Sequence, residues 1–148
     1  MITPQFTPAD IERMLQEKIA KYEEKIVRIL RNVGEKCINE AREYGSYQDQ
    51  TGNLRSSIGY IVLKEGKPIE KGGFAPTERG KEKGKSGQKE GETFINKVIS
   101  QYPKGFVLVV VAGMKYAAYV EARNYNVLSS AELLAEKEVP KLLKALSQ

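Results

Sequence analysis

The sequence contains no histidine, and its 148 residues include a single cysteine, Cys37. Histidine is the commonest general base and the commonest metal ligand in proteins. A lone cysteine excludes an internal disulfide, a zinc site made of thiolates and a Cys-His nucleophile. We therefore expect no catalytic residue, no metal site and no cofactor. Cys37 falls in a helical pattern and is interpreted as a small buried or half-buried hydrophobic residue.

Long apolar runs are also absent. No uninterrupted apolar stretch approaches the ~18 residues that indicate a transmembrane helix. The opening residues, MITPQFTPADIERM, lack the basic and apolar regions of a secretory signal. The 148 residues, 41% of them hydrophobic, are enough for one domain with its own core. These features predict a soluble cytoplasmic protein in which residues 1–148 form a single domain without membrane contact.

The excess positive charge is concentrated in one segment. The net charge is +5. Residues 8–44 contain eight basic and eight acidic residues, whereas residues 64–91 contain eight basic and five acidic ones. A flexible basic arm over residues 64–89 would make the chain a nucleic-acid-binding module, which is the alternative function. Interleaved acids and a single aromatic residue for base stacking, Phe74, argue against it, so nucleic acid is not the expected partner.

The first third of the chain predicts one long helix. The stretch Thr7 to Asp10 is a good helix start, with a capping threonine and a proline at the first helical position. A continuous helix to Tyr44 would be ~55 Å long, so part of it is expected to project or to pack on another subunit. The alternative is two helices broken near Lys21 or near Gly34, where glycine costs ~1 kcal/mol relative to alanine. The apolar positions recur every three or four residues, at Ile11, Leu15, Ile19, Tyr22, Ile26, Leu30, Val33, Cys37, Ala41 and Tyr44.

A turn and a strand follow this helix. Residues 51–58 read TGNLRSSI, a turn signal followed by a short run in which Asn53 can cap one helical turn. Residues 58–63 then have the composition of a strand. The simplest interpretation is a corner that reverses the chain from helix to sheet.

Residues 66–91 differ from the rest of the chain in composition. Seven of the thirteen glycines lie here, among alternating lysines and glutamates. We predict a flexible loop over this range, with a strand from Ile69 to Phe74 that pairs back on residues 58–63 as a further option. The pattern GxxxxGK[ST] is absent, which argues against a phosphate-binding loop. The loop either becomes ordered against a partner in an assembly or is a solvated loop without a role.

The second half predicts a helix, a strand and a final helix. Glu92 to Tyr102 has helical spacing. Phe106 to Ala112 reads FVLVVVA, which predicts a strand buried on both faces and central in its sheet. Ser129 to Glu132 fits a capping box with Ser129 as the cap. The final helix contains Pro140 and is expected to pack on the sheet.

Residues 116–122 read YAAYVEA and allow either a helix or a strand. Glu121 follows an apolar run, so we expect it to be partly buried and paired with a basic residue, either Arg55 or Arg123. A glutamate beside a tyrosine could also form a general acid-base pair. This catalytic interpretation is disfavoured because the sequence supplies no second carboxylate, metal or nucleophile to complete the site.

The chain has the TGNLRSSI segment, then a strand, the YAAYVEA segment and a capped final helix. In this order, these patterns resemble a family of tailed-bacteriophage proteins that is often found in prophages. These are minor tail, neck or tail-completion components encoded near the head-tail joining genes. The resemblance covers roughly residues 21–146 and departs from the family at residues 122–126 and in the long linker of residues 66–102. The first family motif, Thr-Gly-x-Leu-x-x-Ser-Ile, is matched by Thr51, Gly52, Leu54, Arg55, Ser57 and Ile58. The second, Tyr-Ala-x-Tyr-Val-Glu, is matched by Tyr116, Ala117, Tyr119, Val120 and Glu121.

The resemblance implies a structural protein and not an enzyme. Members are similar to small α+β virion proteins that build rings at the head-tail junction or the tail end. It implies a long N-terminal helix, a small mostly antiparallel sheet and a C-terminal helix packed on the sheet. The expected partners are other phage tail and connector proteins and further copies of the chain in a ring, although the chain can be a monomer in isolation. The expected location is the virion, and the host bacterial cytoplasm during assembly.

Overall fold

The computed structural model describes residues 5–77, 80–115, 117–123 and 125–146. They form an α+β fold, as predicted, with a long N-terminal helix, a three-stranded antiparallel sheet and a C-terminal helix. Within these ranges, no helix combines the length and the apolar character that crossing a membrane requires. The elements in chain order are α1 (Pro8–Glu43), α2 (Asn53–Ser56), β1 (Ile58–Lys64), β2 (Lys67–Gly73), α3 (Lys85–Val98), a short 3-10 helix (Ile99–Gln101), β3 (Phe106–Ala112), α4 (Ala117–Ala122) and α5 (Ser129–Leu146).

The strands of the sheet are ordered β2-β1-β3. β1 pairs with β3 in an unbroken register from Ile58 opposite Ala112 to Lys64 opposite Phe106. The predicted strand of residues 106–112 is therefore confirmed, but the prediction that it is central is wrong, because β1 holds that position. The apolar run of β3 reflects helices that cover both of its faces and not strands on both of its sides.

The sheet lies between two helical layers. Alternate residues of a strand point to opposite faces. The face that carries Tyr60 and Val62 packs against α1 and α5. The opposite face carries Ile61 and Leu63 and packs against Ile95 of α3. Both faces of the central strand β1 are therefore buried, and each contributes to the core.

α1 is one continuous helix of 36 residues, which confirms the long-helix prediction over a break near Gly34. Thr7 and Asp10 form a reciprocal capping box at its start. The Thr7 hydroxyl accepts the Asp10 N–H at 3.1 Å, and the Asp10 carboxylate accepts the Thr7 N–H at 3.0 Å. The buried residues of α1 all fall between Leu30 and Ala41, whereas residues 11–22 are exposed on every side. The N-terminal part of the helix therefore projects beyond the sheet.

Residues 66–91 are not one loop, and that prediction is wrong. β2 pairs with β1 along Lys67–Gly73, which confirms the strand that was the further option. α3 begins at Lys85, seven residues before the predicted helix start at Glu92. A Cβ at Gly87 would lie 2.0 Å from the carbonyl oxygen of Asn53. The glycines of this segment therefore allow close backbone packing, which composition alone cannot distinguish from flexibility.

α5 lies along α1 in the layer that covers the sheet. Leu134 and Leu142 pack in the cluster that contains Leu30 of α1 and the facing side of β3. Cys37 is buried as predicted, and its Sγ lies 3.5 Å from the carbonyl oxygen of Ala131 in α5. Burial raises the pKa of the Cys37 thiol to about 11. The cysteine is therefore a packing residue of the α1–α5 contact.

Candidate functional site

The two sequence motifs meet in one apolar cluster beside the C-terminal end of α1. Leu54 of the first motif and Ala117 of the second are both buried there, together with Tyr47 and Val127. Val120 of the second motif packs against the same cluster. The fold thus joins two segments that are far apart in the sequence.

Asp49 organises the turn of the first motif. Gly52 has a φ of 83° immediately before α2, a left-handed conformation that favours glycine. The Asp49 carboxylate accepts the N–H groups of Gly52 at 3.0 Å and Arg55 at 2.9 Å. The Thr51 hydroxyl accepts the N–H of Asn53 at 3.2 Å. Asp49 is therefore the cap of α2, and the prediction of Asn53 in that role is wrong.

Asn53 instead fixes the segment that leads into α3. Its side-chain amide donates to the Glu82 carboxylate at 2.8 Å, and its side-chain oxygen accepts the N–H of Gly87 at 3.1 Å. The Ser56 hydroxyl lies 2.7 Å from the carbonyl oxygen of Gly84. These bonds hold the glycine-rich segment against the first motif.

Arg55 is buried and joins the first motif to the end of α1. Its Nε and Nη2 donate to the carbonyl oxygens of Arg42 at 3.2 Å and Gly45 at 3.4 Å. Its guanidinium lies 3.8 Å from the Asp49 carboxylate and 4.6 Å from the ring centroid of Tyr47. The charge of Arg55 is therefore compensated by Asp49, and Arg55 is not the partner expected for Glu121.

Ser57 and Ile58 complete the first motif at the start of the sheet. The Ser57 hydroxyl donates to the carbonyl oxygen of Leu54 at 2.7 Å, and the Ser57 carbonyl accepts the N–H of Gly113 at 3.1 Å. The Ile58 carbonyl accepts the N–H of Phe74 at 2.9 Å. The first motif is thus the corner at which α1, the sheet and the segment before α3 are joined.

Glu121 of the second motif caps α5. Its carboxylate accepts the N–H groups of Val127 at 2.6 Å, Leu128 at 3.1 Å and Ser129 at 3.0 Å, and also the Ser129 hydroxyl. Burial alone would raise the pKa of Glu121, but these hydrogen bonds hold the pKa below its ordinary value. The predicted capping box at Ser129 is wrong because the hydroxyl of Ser129 is turned towards Glu121. Asn126 adds a second cap from outside the helix.

The polar groups of both motifs that the structure describes are engaged by the chain itself. Tyr116 and the side chain of Tyr119 lie outside the part of the chain that the structure describes. Both carboxylate oxygens of Glu121 accept hydrogen bonds from the start of α5. The described residues contain no group of three or more His, Cys, Asp or Glu side chains that could hold a metal ion. The charged side chains of the described motif residues, Arg55 and Glu121, are therefore engaged within the chain.

A large exposed apolar surface lies on the projecting part of α1. Five large apolar side chains there, together with Phe6 just before the helix, are between 48% and 65% exposed. Lys18 shares their face and borders a hollow of about 250 Å³ beside Leu15. Just beyond the projecting part, Glu23 pairs with Lys64 of β1 at 2.5 Å. We call this surface the α1 stripe; its residues are Phe6, Ile11, Met14, Leu15, Ile19 and Tyr22.

A second apolar surface lies along the outer edge of β3. Two cavities of about 430 Å³ and 340 Å³ are lined by β3 and α5, the smaller one also by α3 and α4, and they share the lining residues Val110, Leu128 and Glu132. Within the described ranges, no strand pairs with this edge of β3. We call this surface the β3–α5 groove. Other residues that line it are Leu108, Ala131, Ala135, Glu136 and Phe94.

The sequence patterns indicated the α1 stripe but not the groove or the caps. The apolar spacing continues unchanged through the exposed and the buried parts of α1, so the sequence shows the stripe. Asp49 and Glu121 cap α2 and α5 across turns, and no local pattern in the sequence indicates such caps.

Comparisons with protein-family models, with curated proteins and with solved structures found no match to this chain. The case for a function therefore rests on the geometry and on the sequence motifs.

Proposed function

We propose that this chain is a structural assembly protein of a tailed bacteriophage, a tail-completion or minor tail component at the head-tail junction or the tail end. It acts through contacts between subunits and not through catalysis. The observation that carries the proposal is the α1 stripe, an apolar face on a helix that leaves its own core. The resemblance of Thr51 to Ile58 and of residues 116–121 to phage motifs supplies the link to virion proteins.

The exposed stripe is costly for an isolated chain. Helices shorter than ~12–15 residues are marginal in water, and the part of α1 before Glu23 receives little support from the core. Burying a large apolar side chain is worth ~1.5–3 kcal/mol, so six half-exposed ones leave roughly 5–9 kcal/mol unrealised before any cost of association. Exposed apolar patches of this kind mark interaction surfaces. A subunit contact that covers the stripe would stabilise both the helix and the assembly.

The internal contacts of the two motifs support the same proposal. Arg55 and Glu121 hold the corner and α5 in place through bonds to backbone groups. A rigid body of this kind can present α1 in a fixed direction. The motifs then act as positioning elements for the surfaces that make the contacts.

The proposed partners are further copies of the chain in a ring and other tail and connector proteins of the same particle. The ring would form in the host bacterial cytoplasm during assembly and remain in the virion. Ring contacts can form only when the tail tube or the connector is present, so a monomer in isolation is compatible with the proposal.

A nucleic-acid-binding module is the second candidate. Four exposed lysines lie just before and within the start of α3, at Lys81, Lys83, Lys85 and Lys89. Two other lysines of the basic segment are paired, Lys64 with Glu23 at 2.5 Å and Lys71 with Glu92 at 3.6 Å. Binding through phosphate contacts would fall steeply with added salt. A flat salt response, or no binding to DNA at low salt, would remove this candidate.

The proposal is tested in the phage or prophage that encodes the chain. Deletion of the gene should leave unjoined heads and tails or unfinished tails in electron micrographs, and the wild-type gene supplied in trans should restore whole particles. Leu15→Asp in the α1 stripe should fail to restore them. Ala20→Asp, on the opposite face of the same helix, should restore them. Normal yields of whole particles after deletion would refute the proposal.

A further inference from the structure

We propose that the α1 stripe of one copy packs in the β3–α5 groove of a neighbouring copy. This inference rests on the proposed function and adds the two surfaces through which copies touch. The partner is a second copy of this chain, and the contact is head-to-tail because the two surfaces differ. Three observations carry it: the continuity of the stripe, the place of the groove and the charges of both.

The α1 stripe continues a face that already packs on the sheet and on α5. Apolar residues recur every 11 residues along α1, so Tyr22 of the stripe is followed on the same face by Val33. Leu15 is likewise followed by Ile26 and Cys37. Val33 and Cys37 are buried against the sheet and α5 of their own chain. The projecting residues therefore offer a surface of the kind that already fits this sheet and this helix.

The β3–α5 groove can receive such a face, but not from its own chain. Its larger cavity of about 430 Å³ lies within the range of pockets that bind whole ligands, so it can take up several side chains. Cys37 lines this cavity, which makes α1 one of its walls. Ile11 lies 26 residues earlier on the same continuous helix, ~39 Å away. Only another molecule can bring a stripe to this groove.

The charges on the two surfaces are complementary. Among the residues that the structure describes, Lys18 is the one charged residue that lines the hollow of the α1 stripe. Glu132 and Glu136 are the charged residues that line the larger cavity of the groove, and they lie one turn apart on α5. None of these three side chains makes an ion pair with another described residue. A lysine carried on the stripe would therefore meet carboxylates at the groove.

A head-to-tail contact has a direct consequence for assembly. Each copy offers one stripe and one groove, so every subunit can bind two neighbours. Such contacts close into a ring when the rotation between copies closes, and otherwise give a filament. A symmetric pair of stripes would instead stop at a dimer.

Cross-linking between Lys18→Cys and Glu136→Cys tests the contact with a short bis-maleimide reagent. Within one chain these positions are far apart, because Lys36 pairs with Glu138 at 3.5 Å and Lys18 lies 18 residues before Lys36, about 27 Å along α1. The native cysteine can remain, since it is buried and its thiol reacts slowly. The matched control replaces the first site with Arg13→Cys, which lies about 140° away around the helix.

The outcomes separate the contact from the function. In purified particles, the double variant should give a ladder of dimers, trimers and larger species, and the control should stay largely monomeric. Particles that contain the double variant without any ladder would overturn the contact and leave the proposed function standing. Dimers formed by Lys18→Cys alone would overturn it in favour of paired stripes. Whole particles that form without any copy of this chain would overturn the proposed function itself.

A charge exchange supplies a second test that does not depend on cross-linking. Lys18→Glu should lower the yield of whole particles at least tenfold, because it places like charges together. Combining it with Glu132→Lys and Glu136→Lys should restore most of that yield. Arg13→Glu is the control with the same change of charge and should have little effect. A triple variant that is no better than Lys18→Glu would contradict the proposed pairing.

Discussion

Gly34 of α1 lies directly against the ring of Tyr60 at the centre of β1. A Cβ at residue 34 would lie 2.5 Å from Cδ2 of that ring, and a Cβ at Gly72 of β2 would lie 2.3 Å from its Cε1. The Tyr60 hydroxyl donates to the Glu35 carboxylate at 2.8 Å. Burial, with this hydrogen bond, raises the pKa of Tyr60 above its ordinary value. Two glycines therefore let α1 and β2 approach one tyrosine, and this contact fixes the direction in which α1 leaves the sheet.

The first prediction concerns this contact. Gly34→Ala should lower the free energy of unfolding by about 1–3 kcal/mol, because the added methyl group overpacks the Tyr60 ring. Helix propensity alone would predict a more stable protein, since alanine is ~1 kcal/mol more favourable than glycine in the interior of a solvent-exposed helix. Urea unfolding measures the difference. Ala20→Gly, at an exposed position of the same helix, is the control and should cost about 1 kcal/mol. A more stable Gly34→Ala protein would contradict the close approach.

The second prediction concerns the corner built by Asp49. The side chains of Asp49 and Arg55 are 2% and 9% exposed, so removal of one partner leaves a buried charge. Asp49→Ala should therefore cost about 3–5 kcal/mol in the free energy of unfolding. Asp10→Ala, in the exposed capping box of α1, should cost much less in the same measurement. Equal costs at the two sites would show that Asp49 does not hold the corner.

The third prediction concerns the pH dependence of the α5 cap. The folded pKa of Glu121 lies below its ordinary value of 4.5, so its carboxylate contributes stability that is present above that pH and is lost as the pH falls through the folded pKa. Glu121→Gln should cost about 1 kcal/mol at pH 7 and progressively less in acid. Urea unfolding between pH 7 and pH 3 measures both effects. Glu132→Gln is the control, and a cost at Glu121 that does not change with pH would contradict the cap.

The parts of the fold that the sequence predicted are those marked by patterns among neighbouring residues. We could recognise α1 from its apolar spacing and its start at Thr7, and β3 from its apolar run. Each of these patterns lies within the element itself or beside it. The position of β3 at the edge of the sheet could not be recognised, since an apolar run records covered faces and not neighbouring strands. Helices on both faces produce the same pattern as a central place in the sheet.

Tertiary contacts explain what the sequence could not predict. The glycines of residues 66–91 resemble a flexible linker until their contacts with Asn53 and Ser56 are known. Asp49 and Glu121 act as caps across turns that no local pattern announces. The motif residues were candidates for assembly contacts, but most are buried within the chain. The candidate contact surfaces instead lie on α1 and beside β3.

The fourth prediction concerns the surface that should join subunits. Leu15→Asp places a charge in the α1 stripe and should abolish association without a large loss of folding stability, because Leu15 is already 56% exposed. Ala20→Asp introduces the same side chain on the opposite face and should leave association intact. Urea unfolding of both variants checks the fold, and analytical ultracentrifugation compares their masses. The masses are compared under the conditions in which the wild-type chain associates, and a Leu15→Asp chain that associates as the wild-type chain does would remove the stripe from the interface.

The solution mass of the wild-type chain, measured by light scattering over a concentration series, tests the central claim most directly. The series is run with and without the neighbouring tail-tube protein. We expect a defined oligomer, formed either by the chain alone or in the presence of that partner. A chain that stays monomeric in both series and binds DNA at low salt would contradict the assembly function and favour the nucleic-acid-binding module.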